Sequence, residues 1–167
     1  MKISYGITVH NEHEELNQLL DLLVNETDTE DEIIIVQDSR DEEVEKVISK
    51  WMNKTLDWKG IYWHTNKLNG DFAQHKNFVI EKCEGDYIFH IDADEYPNVI
   101  LLQQLKKILE INPVDLIWVP RVNTVEGITQ AHLNTWGWKQ TEQGWINYPD
   151  YQSRIFKNRD DIRWRRP

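Results

Sequence analysis

The sequence predicts an α/β fold in which a mainly parallel sheet lies between two layers of helices. Apolar runs of strand length alternate with amphipathic stretches of helix length, and consecutive strands joined by helices pair in parallel through right-handed crossovers. The chain has 167 residues, of which 40% are hydrophobic, enough to cover both faces of one sheet. We therefore expect a three-layer α/β/α sandwich formed by one domain, residues 1–167.

Two strands and the helix between them are predicted at the start of the chain. "ISYGITV" at 3–9 has strand composition, and the stretch 11–26 that follows carries four leucines at helical spacing. Asn11 with Glu14 three residues later has the spacing of a helix cap. "EIIIVQD" at 32–38 is continuously apolar until its end, which is typical of a strand covered on both faces.

A second amphipathic helix is predicted at 39–52. Ser39 and Glu42 have capping-box spacing at its start. Its apolar stripe consists of Val44, Val47, Ile48, Trp51 and Met52.

The alternation then continues as far as Val122. The predicted elements are a strand at 61–65, a helix at 71–83, a strand at 86–92, a helix at 98–110 capped by Asn98, and a strand at 114–122. Beyond Val122 the periodicity fades, and we expect a loop-rich antiparallel excursion that returns through a strand near 151–157.

Composition and charge exclude several classes of protein. A formal net charge of -10 argues against general nucleic-acid binding, which needs a basic surface. Residues 151–167 nevertheless hold six Lys or Arg against two Asp, so this basic end could meet a diphosphate or an anionic lipid, or be a solvated tail. Without an apolar run of about 18 residues or a signal-peptide pattern, we expect a cytoplasmic protein with no integral membrane segment.

Three carboxylates follow predicted strands, where open α/β sheets bind ligands. Asp92 and Asp94 come at the end of the strand at 86–92, and Asp38 ends the strand at 32–38. An unpaired buried charge is costly, and hard oxygen ligands suit Mg²⁺ or Mn²⁺. The alternative is that the pair lies at a helix N-terminus, favoured by the helix dipole, and that Asp38 caps the helix after it.

Trp136, Trp138 and Trp145 crowd a Gly-containing stretch with neither helix nor strand periodicity. Tryptophan in a loop either fills a small core or offers a flat apolar face to a sugar ring. Both interpretations are open from the sequence.

Four segments occur in an order that resembles a known family: "ITVHNEHEEL", "IIIVQDSR", "AQHKNFVIEKCEGDYIFHIDADEYP" and "NYPDYQSRIFK". The chain is similar to the GT-A-fold glycosyltransferases of family 2, especially compact bacterial members that add sugars to lipopolysaccharide cores. The resemblance implies a donor-binding half, 1–98, that ends in Asp-x-Asp, and an acceptor-side half, 99–167. It also implies a metal-dependent inverting transfer from a UDP-sugar to a hydroxyl of a glycan or lipid-linked glycan.

The resemblance assigns the nucleoside site to the ends of the first two strands. Thr8, Val9 and His10 would grip the nucleoside largely through main-chain groups, and Asp38 would accept a hydrogen bond from uracil. Lys76 stands where the family usually has Arg, near the base or the diphosphate. An exposed helix lysine is the alternative for Lys76.

The resemblance places the metal and the general base in the second half of the pattern. Asp92 would hold the ribose, or the metal through water, with Ala93 beside it at the nucleotide. Asp94 would bind Mn²⁺ or Mg²⁺. Asp150 matches the family's general base, or is simply a turn residue, and Arg154 matches a family arginine that would contact donor or acceptor.

Two other classes of function stay open. A nucleotidyltransferase also uses paired aspartates on an α/β sheet, but "HNEHEE" stands where its Gly-rich, basic loop is expected. A non-catalytic nucleotide-sugar-binding module would keep the donor half without turnover.

Overall fold

The computed structural model describes residues 1–55 and 60–165, so Arg166 of the basic end lies outside the described residues. The helices and strands alternate as predicted as far as the fifth strand. Their bounds are β1 Ile3–Val9, α1 His13–Glu26, β2 Glu32–Gln37, α2 Glu42–Lys54, β3 Ile61–Thr65, α3 Phe72–Lys82, β4 Tyr87–Asp92, α4 Val99–Ile111, β5 Leu116–Asn123, α5 Gln130–Trp136 and β6 Ile146–Lys157.

The strands form a six-stranded sheet in the order β3-β2-β1-β4-β6-β5. The four strands β3, β2, β1 and β4 are parallel, β6 runs antiparallel to β4, and β5 runs antiparallel to β6. The α/β prediction and the antiparallel return are therefore confirmed. Thr8 of β1 pairs with Asp92 of β4 on one side and Val36 of β2 on the other, which brings the carboxyl ends of these strands to one edge.

Helices cover both faces of the sheet, which gives the expected three layers. On one face, apolar residues of α1, α2 and α4 pack against alternate residues of the strands, among them Leu20, Ile48 and Leu105. On the other face, α3 packs through Val79 and Ile80 against the intervening strand residues. Among the described residues, no helix is both long and apolar enough to cross a bilayer.

Glycine lets α3 approach the sheet closely. A Cβ atom placed on Gly6 of β1 would lie 2.7 Å from Val79 Cγ1, well inside van der Waals contact. The bare backbone of Gly6 therefore sets the distance between β1 and α3.

Two of the three predicted helix caps are wrong, and the third is confirmed. The N-cap position of α1 is Glu12 rather than Asn11, and Glu12 makes no side-chain capping bond. Asp41 caps α2 by accepting from Glu43 N and Val44 N, both at 3.0 Å, so the helix begins after Ser39. Asn98 caps α4 as predicted, with Ile100 N donating to its side chain at 2.9 Å.

Two details of the helix predictions also need correction. Met52 is 37% exposed and lies at the edge of the predicted stripe on α2. The Trp136 region, predicted to be irregular, contains α5, which the Thr129 side chain caps and which ends at Gly137 with a φ of 66°. A helix of seven residues is too short to show an apolar period in the sequence.

Candidate active site

Most of the residues predicted to bind the nucleotide-sugar lie together at the carboxyl ends of β1, β2 and β4. The Ala93 N–H donates to the Thr8 carbonyl at 3.0 Å, and the Asp38 N–H donates to the Val9 carbonyl at 3.1 Å. These main-chain bonds tie the segments after β4 and β2 to the end of β1. The edge of the sheet thus presents side chains from three neighbouring strands at fixed positions.

The Asp92 carboxylate accepts hydrogen bonds from two side chains and has a lysine ammonium nearby. Thr8 Oγ1 donates to Asp92 Oδ1 at 2.8 Å, and Arg154 Nη2 donates to Asp92 Oδ2 at 2.9 Å. The Lys76 ammonium lies 3.9 Å from Asp92 Oδ1. Burial raises the pKa of Asp92, but the positive charges of Arg154 and Lys76 outweigh it and lower the pKa to about 2, so this carboxyl is ionised.

Lys76 projects from α3 toward Asp92 and is not the exposed helix lysine of the alternative interpretation. Its side chain is only 20% exposed, and burial lowers its pKa although Asp92 opposes this. Its ammonium lies over the ring of Trp164, 4.9 Å from the centroid. Within the described residues it has no hydrogen-bond acceptor, so its N–H groups are free for an anionic ligand.

Asp94 differs from Asp92 because it is exposed, and no described side chain donates a hydrogen bond to it or forms an ion pair with it. The α4 helix begins only at Val99, so the helix-terminus interpretation of the pair does not hold. No group of three or more Asp, Glu, His or Cys that could hold a metal occurs in residues 1–55 and 60–165.

The carboxylate oxygens of Asp92 and Asp94 nevertheless fit Mg²⁺ or Mn²⁺. These ions bind through one or two carboxylates when phosphates and waters supply the remaining ligands. Asp94 has both oxygens free, whereas both oxygens of Asp92 already accept from Thr8 and Arg154. Asp94 would therefore be the main protein ligand, with Asp92 in the next layer.

Asp38 forms a cluster with His10 and Ser39 rather than capping α2. His10 Nδ1 lies 2.6 Å from Asp38 Oδ1, and Ser39 Oγ donates to the same oxygen at 3.0 Å. The hydrogen bond to Asp38 raises the pKa of His10. Asp38 Oδ2 accepts no hydrogen bond from the described residues, so it can accept one from a ligand.

A chain of ion pairs continues from Asp92 to Asp150. Arg154 also donates to Glu95 Oε1, and Arg121 Nη1 donates to the same oxygen at 3.3 Å. Arg121 Nη2 and Nε both donate to Asp150 Oδ2, at 2.7 and 2.9 Å. Arg154, only 7% exposed, therefore connects the end of β4 to the β5–β6 hairpin.

Asp150 lies within β6, not in a turn, and both of its oxygens accept hydrogen bonds. Asn123 Nδ2 donates to Oδ2 at 3.1 Å, and Gln152 Nε2 donates to Oδ1 at 2.6 Å. The bond from Asn123 lowers the pKa of Asp150 most, burial opposes it, and the bonds from Arg121 and Gln152 lower the pKa further. In this arrangement Asp150 is a stable carboxylate with a weak tendency to take a proton.

A comparison with protein families bears on what this edge of the sheet does. The profile described as "Glycosyl transferase family 2" matches residues 4–163, nearly the whole chain. The chain belongs to glycosyl transferase family 2. The match covers both the carboxyl ends of β1, β2 and β4 and the hairpin that carries Asp150.

Individual relatives of this family 2 chain are distant and longer. Poly(ribitol-phosphate) beta-N-acetylglucosaminyltransferase TarS of Staphylococcus aureus is 24% identical over 121 residues, which cover 71% of this chain and 21% of TarS. The chain thus spans about a fifth of the length of that curated relative.

Solved structures show the same fold at low identity. Residues 1–349 of TarS in complex with UDP-GlcNAc align with a TM-score of 0.60 and 21% identity, covering 77% of this chain and 36% of that one. The mannosyltransferase PcManGT of Pyrobaculum calidifontis, in complex with GDP-Man and Mn²⁺, aligns with a TM-score of 0.60 and 16% identity, covering 93% and 44%. The GT-A fold expected of a family 2 glycosyltransferase is confirmed.

The family 2 chain has a cleft of about 1370 Å³ beside the carboxyl end of β4. Asp94, Glu95, Arg121 and Asp150 line it, and so does Trp138, which is 37% exposed.

The other two predicted tryptophans do not line this cleft in the described part of the chain. Trp136 stacks on His132 with ring centroids 5.0 Å apart, and Trp145 packs against Tyr148 at 4.7 Å. Of the three predicted platforms, the structure therefore places Trp138 beside the site.

Sequence reasoning assigned no role to Glu95, Arg121, Asn123 or Trp164 in this family 2 chain. A signal was available for Arg121, because it is a single charged residue within the apolar strand "LIWVPRV". The sequence does not predict that Arg121 pairs with Asp150. The β5–β6 register that sets these residues opposite each other depends on a long irregular connection.

Proposed function

We propose that the chain transfers a sugar from a UDP-sugar to a hydroxyl group of a glycan or lipid-linked glycan, with inversion at the anomeric carbon and with Mn²⁺ or Mg²⁺. The observation that carries the proposal is the end of β4, where the Asp94 carboxylate accepts no hydrogen bond from the described residues and the Lys76 ammonium lies 3.9 Å from the ionised Asp92 without a hydrogen-bond acceptor among them. A cation site and an anion site side by side match a metal-bound nucleoside diphosphate.

The relatives support this choice of donor and metal. TarS has been crystallised with UDP and with UDP-GlcNAc, and PcManGT with GDP-Man and Mn²⁺. Membership of family 2 also favours glycosyl transfer over the nucleotidyl transfer that the paired aspartates left open. Because the chain covers less than half of each of these proteins, its substrates and activity belong to the proposal.

The donor half, 1–98, would bind the nucleotide. Thr8, Val9 and His10 would contact the nucleoside at the end of β1, and Ala93 would contact the nucleotide next to Asp92. Asp38 would accept a hydrogen bond from the uracil N–H through its free Oδ2 atom. His10 and Ser39 hold the Asp38 carboxylate from its other oxygen, which orients it for this bond.

Cleavage of the glycosyl bond requires that charge on the leaving diphosphate be neutralised. The metal would supply part of this neutralisation when bound to Asp94. Lys76, whose ammonium lies 3.9 Å from Asp92, would donate to the phosphate oxygens. Arg154 would keep Asp92 ionised and in place, because its guanidinium joins Asp92 to Glu95.

Asp150 would remove the proton of the acceptor hydroxyl as that hydroxyl attacks the anomeric carbon from the face opposite the diphosphate. The acceptor would lie in the cleft of the second half, 99–167, where Trp138 offers a face for a sugar ring. For Asp150 to act as a base, the hydrogen bonds that Arg121 donates to it must weaken. Glu95 already accepts from Arg121 at 3.3 Å and is an alternative acceptor.

The second candidate is a nucleotide-sugar-binding module without turnover. The observation that favours it is the full set of donors on Asp150, from Arg121, Asn123 and Gln152. A carboxylate held in this way is a poor base unless substrate binding rearranges the hairpin.

Thermal unfolding with UDP tests the proposal directly. A ligand at 100 times its dissociation constant adds about 2.7 kcal/mol to folding stability, so UDP should raise the melting temperature with Mn²⁺ and much less with EDTA. Asp94→Asn should remove the metal effect and leave the protein's own melting temperature unchanged, because no described side chain forms a hydrogen bond or an ion pair with Asp94.

The control is Glu126→Gln, which removes an exposed carboxylate from the loop after β5, outside the residues that line the cleft. Equal UDP stabilisation with and without metal would refute metal-assisted nucleotide binding. Release of UDP from UDP-sugars then separates the enzyme from the binding module.

A further inference from the structure

The last described segment of the chain, residues 162–165, folds back over α3. Asn77 fixes it there, because its Nδ2 donates to the Trp164 carbonyl at 2.9 Å and its Oδ1 accepts from the Trp164 N–H at 2.8 Å. Ile162 and Trp164 also pack against the apolar cluster on the α3 face of the sheet. We call Asn77 together with residues 162–165 the tail clasp.

The tail clasp places an aromatic ring against the cation of the donor site. Lys76 precedes Asn77 on α3, and its Nζ atom lies 4.9 Å from the centroid of the Trp164 ring. The same ring lies 6.3 Å from the ring of the buried His90. A lysine ammonium within about 6 Å of an indole face is attracted by the ring quadrupole.

This contact restricts a side chain that would otherwise be mobile. A lysine side chain has several rotatable bonds, and ordering it costs conformational entropy. On the described residues, the restraints on the Lys76 ammonium are the Trp164 ring and Asp92, which is 3.9 Å away. Neither uses its N–H groups in a short hydrogen bond, so the ammonium is held in place while its donors stay available.

We propose that Trp164 is a positioning residue for Lys76: the tail clasp holds the ammonium beside Asp92, where it meets the diphosphate of the donor. This proposal rests on the proposed function, in which Lys76 contacts the diphosphate. Trp164 itself does not contact the nucleotide in this arrangement. Loss of its ring should therefore weaken binding of the phosphates and spare binding of the nucleoside.

The test measures dissociation constants of UDP and of uridine, both with Mn²⁺, for the wild type, Lys76→Gln, Trp164→Leu and the double variant. Loss of the ring contact should weaken UDP binding by about 2- to 30-fold, the range of a cation–π interaction, with uridine binding within about twofold of wild type. In the double variant UDP binding should be no weaker than in Lys76→Gln alone, because Trp164 acts through Lys76.

Two matched variants control for a general loss of structure. Trp164→Phe keeps an aromatic face and should retain most of the UDP affinity. Trp63→Leu makes the same change at another partly buried tryptophan, on β3, and should bind UDP as the wild type does. If Trp164→Leu does not fold, Asn77→Ala loosens the tail clasp by another route and should show the same selective loss of UDP binding.

Different results overturn different statements. If Lys76→Gln weakens UDP binding while Trp164→Leu does not, or if Trp164→Leu weakens UDP and uridine equally, the positioning role is wrong and the donor site stands. If Lys76→Gln binds UDP like the wild type, Lys76 does not contact the diphosphate, and the positioning role fails with it. If the wild type binds no UDP, the proposed function itself fails.

Discussion

Asp92 and Asp94 are two residues apart, yet their surroundings prepare them for different tasks. Asp92 accepts from Thr8 and Arg154 and has a pKa lowered to about 2, whereas no described side chain bonds to Asp94. The strand geometry produces this difference, because Asp92 is the last residue of β4 and Asp94 lies beyond it in a turn. The Asp92 carboxylate therefore bonds to protein side chains at the site, and the Asp94 carboxylate is available to a cation.

Asp150 is a residue whose role can be separated from binding by experiment. In the proposed function Asp150 is the general base, which would act on the acceptor hydroxyl and make no contact that the nucleotide needs, so Asp150→Asn should slow transfer by about 10²- to 10⁴-fold. UDP and metal affinity should stay within about twofold of wild type, since all described hydrogen bonds to the Asp150 side chain come from the β5–β6 hairpin. Steady-state kinetics with an acceptor, combined with equilibrium UDP binding, measure both quantities.

The variant Gln152→Glu is a useful companion to Asp150→Asn. It replaces a hydrogen-bond donor to Asp150 with a second carboxylate, which keeps the shape of the site but adds charge. If Asp150→Asn transfers sugar at the wild-type rate, the base is another residue, and Glu95, which also lines the cleft, is the next to test.

At the scale of single elements, α2 shows how a cap is chosen. Ser39 and Asp41 both precede the helix, but Asp41 occupies the N-cap position and accepts from two backbone N–H groups. Ser39 instead donates to Asp38. Ser39 and Glu42 have the sequence spacing of a capping box. The helix begins at Glu42, however, which places Asp41 at the N-cap position.

Removal of the true cap should destabilise the protein, and removal of the other hydroxyl should not. Asp41→Ala should lower the free energy of unfolding by about 0.5–2 kcal/mol, because the N–H groups of Glu43 and Val44 lose their acceptor. Ser39→Ala should stay within about 0.5 kcal/mol of wild type, as is usual for exposed positions. Urea unfolding followed by circular dichroism measures both, and a larger loss for Ser39→Ala would contradict this capping assignment.

The β5–β6 hairpin is the element that completes the site. It carries Arg121, Asn123, Asp150 and Arg154, and the antiparallel register sets Arg121 opposite Asp150. Through Arg154 the hairpin reaches back to Asp92 at the end of β4. Ion pairs therefore join the carboxyl end of β4 to the β5–β6 hairpin and the cleft beside it.

At the scale of the whole molecule, one close approach sets how α3 and the sheet fit together. Gly6 provides this approach in the middle of β1, where an added Cβ would lie 2.7 Å from Val79 Cγ1. Because α3 also carries Lys76 and Asn77, this distance helps to position two residues of the candidate site. The close packing of α3 on β1 is therefore also what places Lys76 and Asn77 at the site.

Gly6→Ala should destabilise the protein by about 1–3 kcal/mol, the usual cost of overpacking a core. Val79→Ala removes the atom that the new methyl group would meet, so the double variant should be more stable than the sum of the two single changes predicts. A coupling free energy of about 0.5–3 kcal/mol is expected for such neighbours. Chemical denaturation of the four proteins gives this value, and strict additivity would show that Gly6 and Val79 do not constrain each other.

The sequence by itself determined the alternation of strands and helices, the position of Asp92 at the end of a strand and the positions of Asp38 and Asp94 just beyond strand ends. It could do so because apolar period and strand length are local properties, and because the carboxyl ends of parallel strands meet at one edge. The resemblance to family 2 rested on the same local segments. The cap by Asn98 was equally readable, since a cap lies next to the helix it serves.

Only the tertiary structure decided which of these groups are paired and which are free. The ion pairs of Arg154 with Asp92 and of Arg121 with Asp150, and the contact between Trp164 and Lys76, join residues from 29 to 88 positions apart in the chain. Such contacts depend on strand register, on the return of the hairpin and on the approach of α3 at Gly6, none of which leaves a periodic signal. The packing also leaves the Asp94 carboxylate without a hydrogen bond from the described residues, and it holds the Lys76 ammonium between Asp92 and Trp164 without a hydrogen-bond acceptor among them.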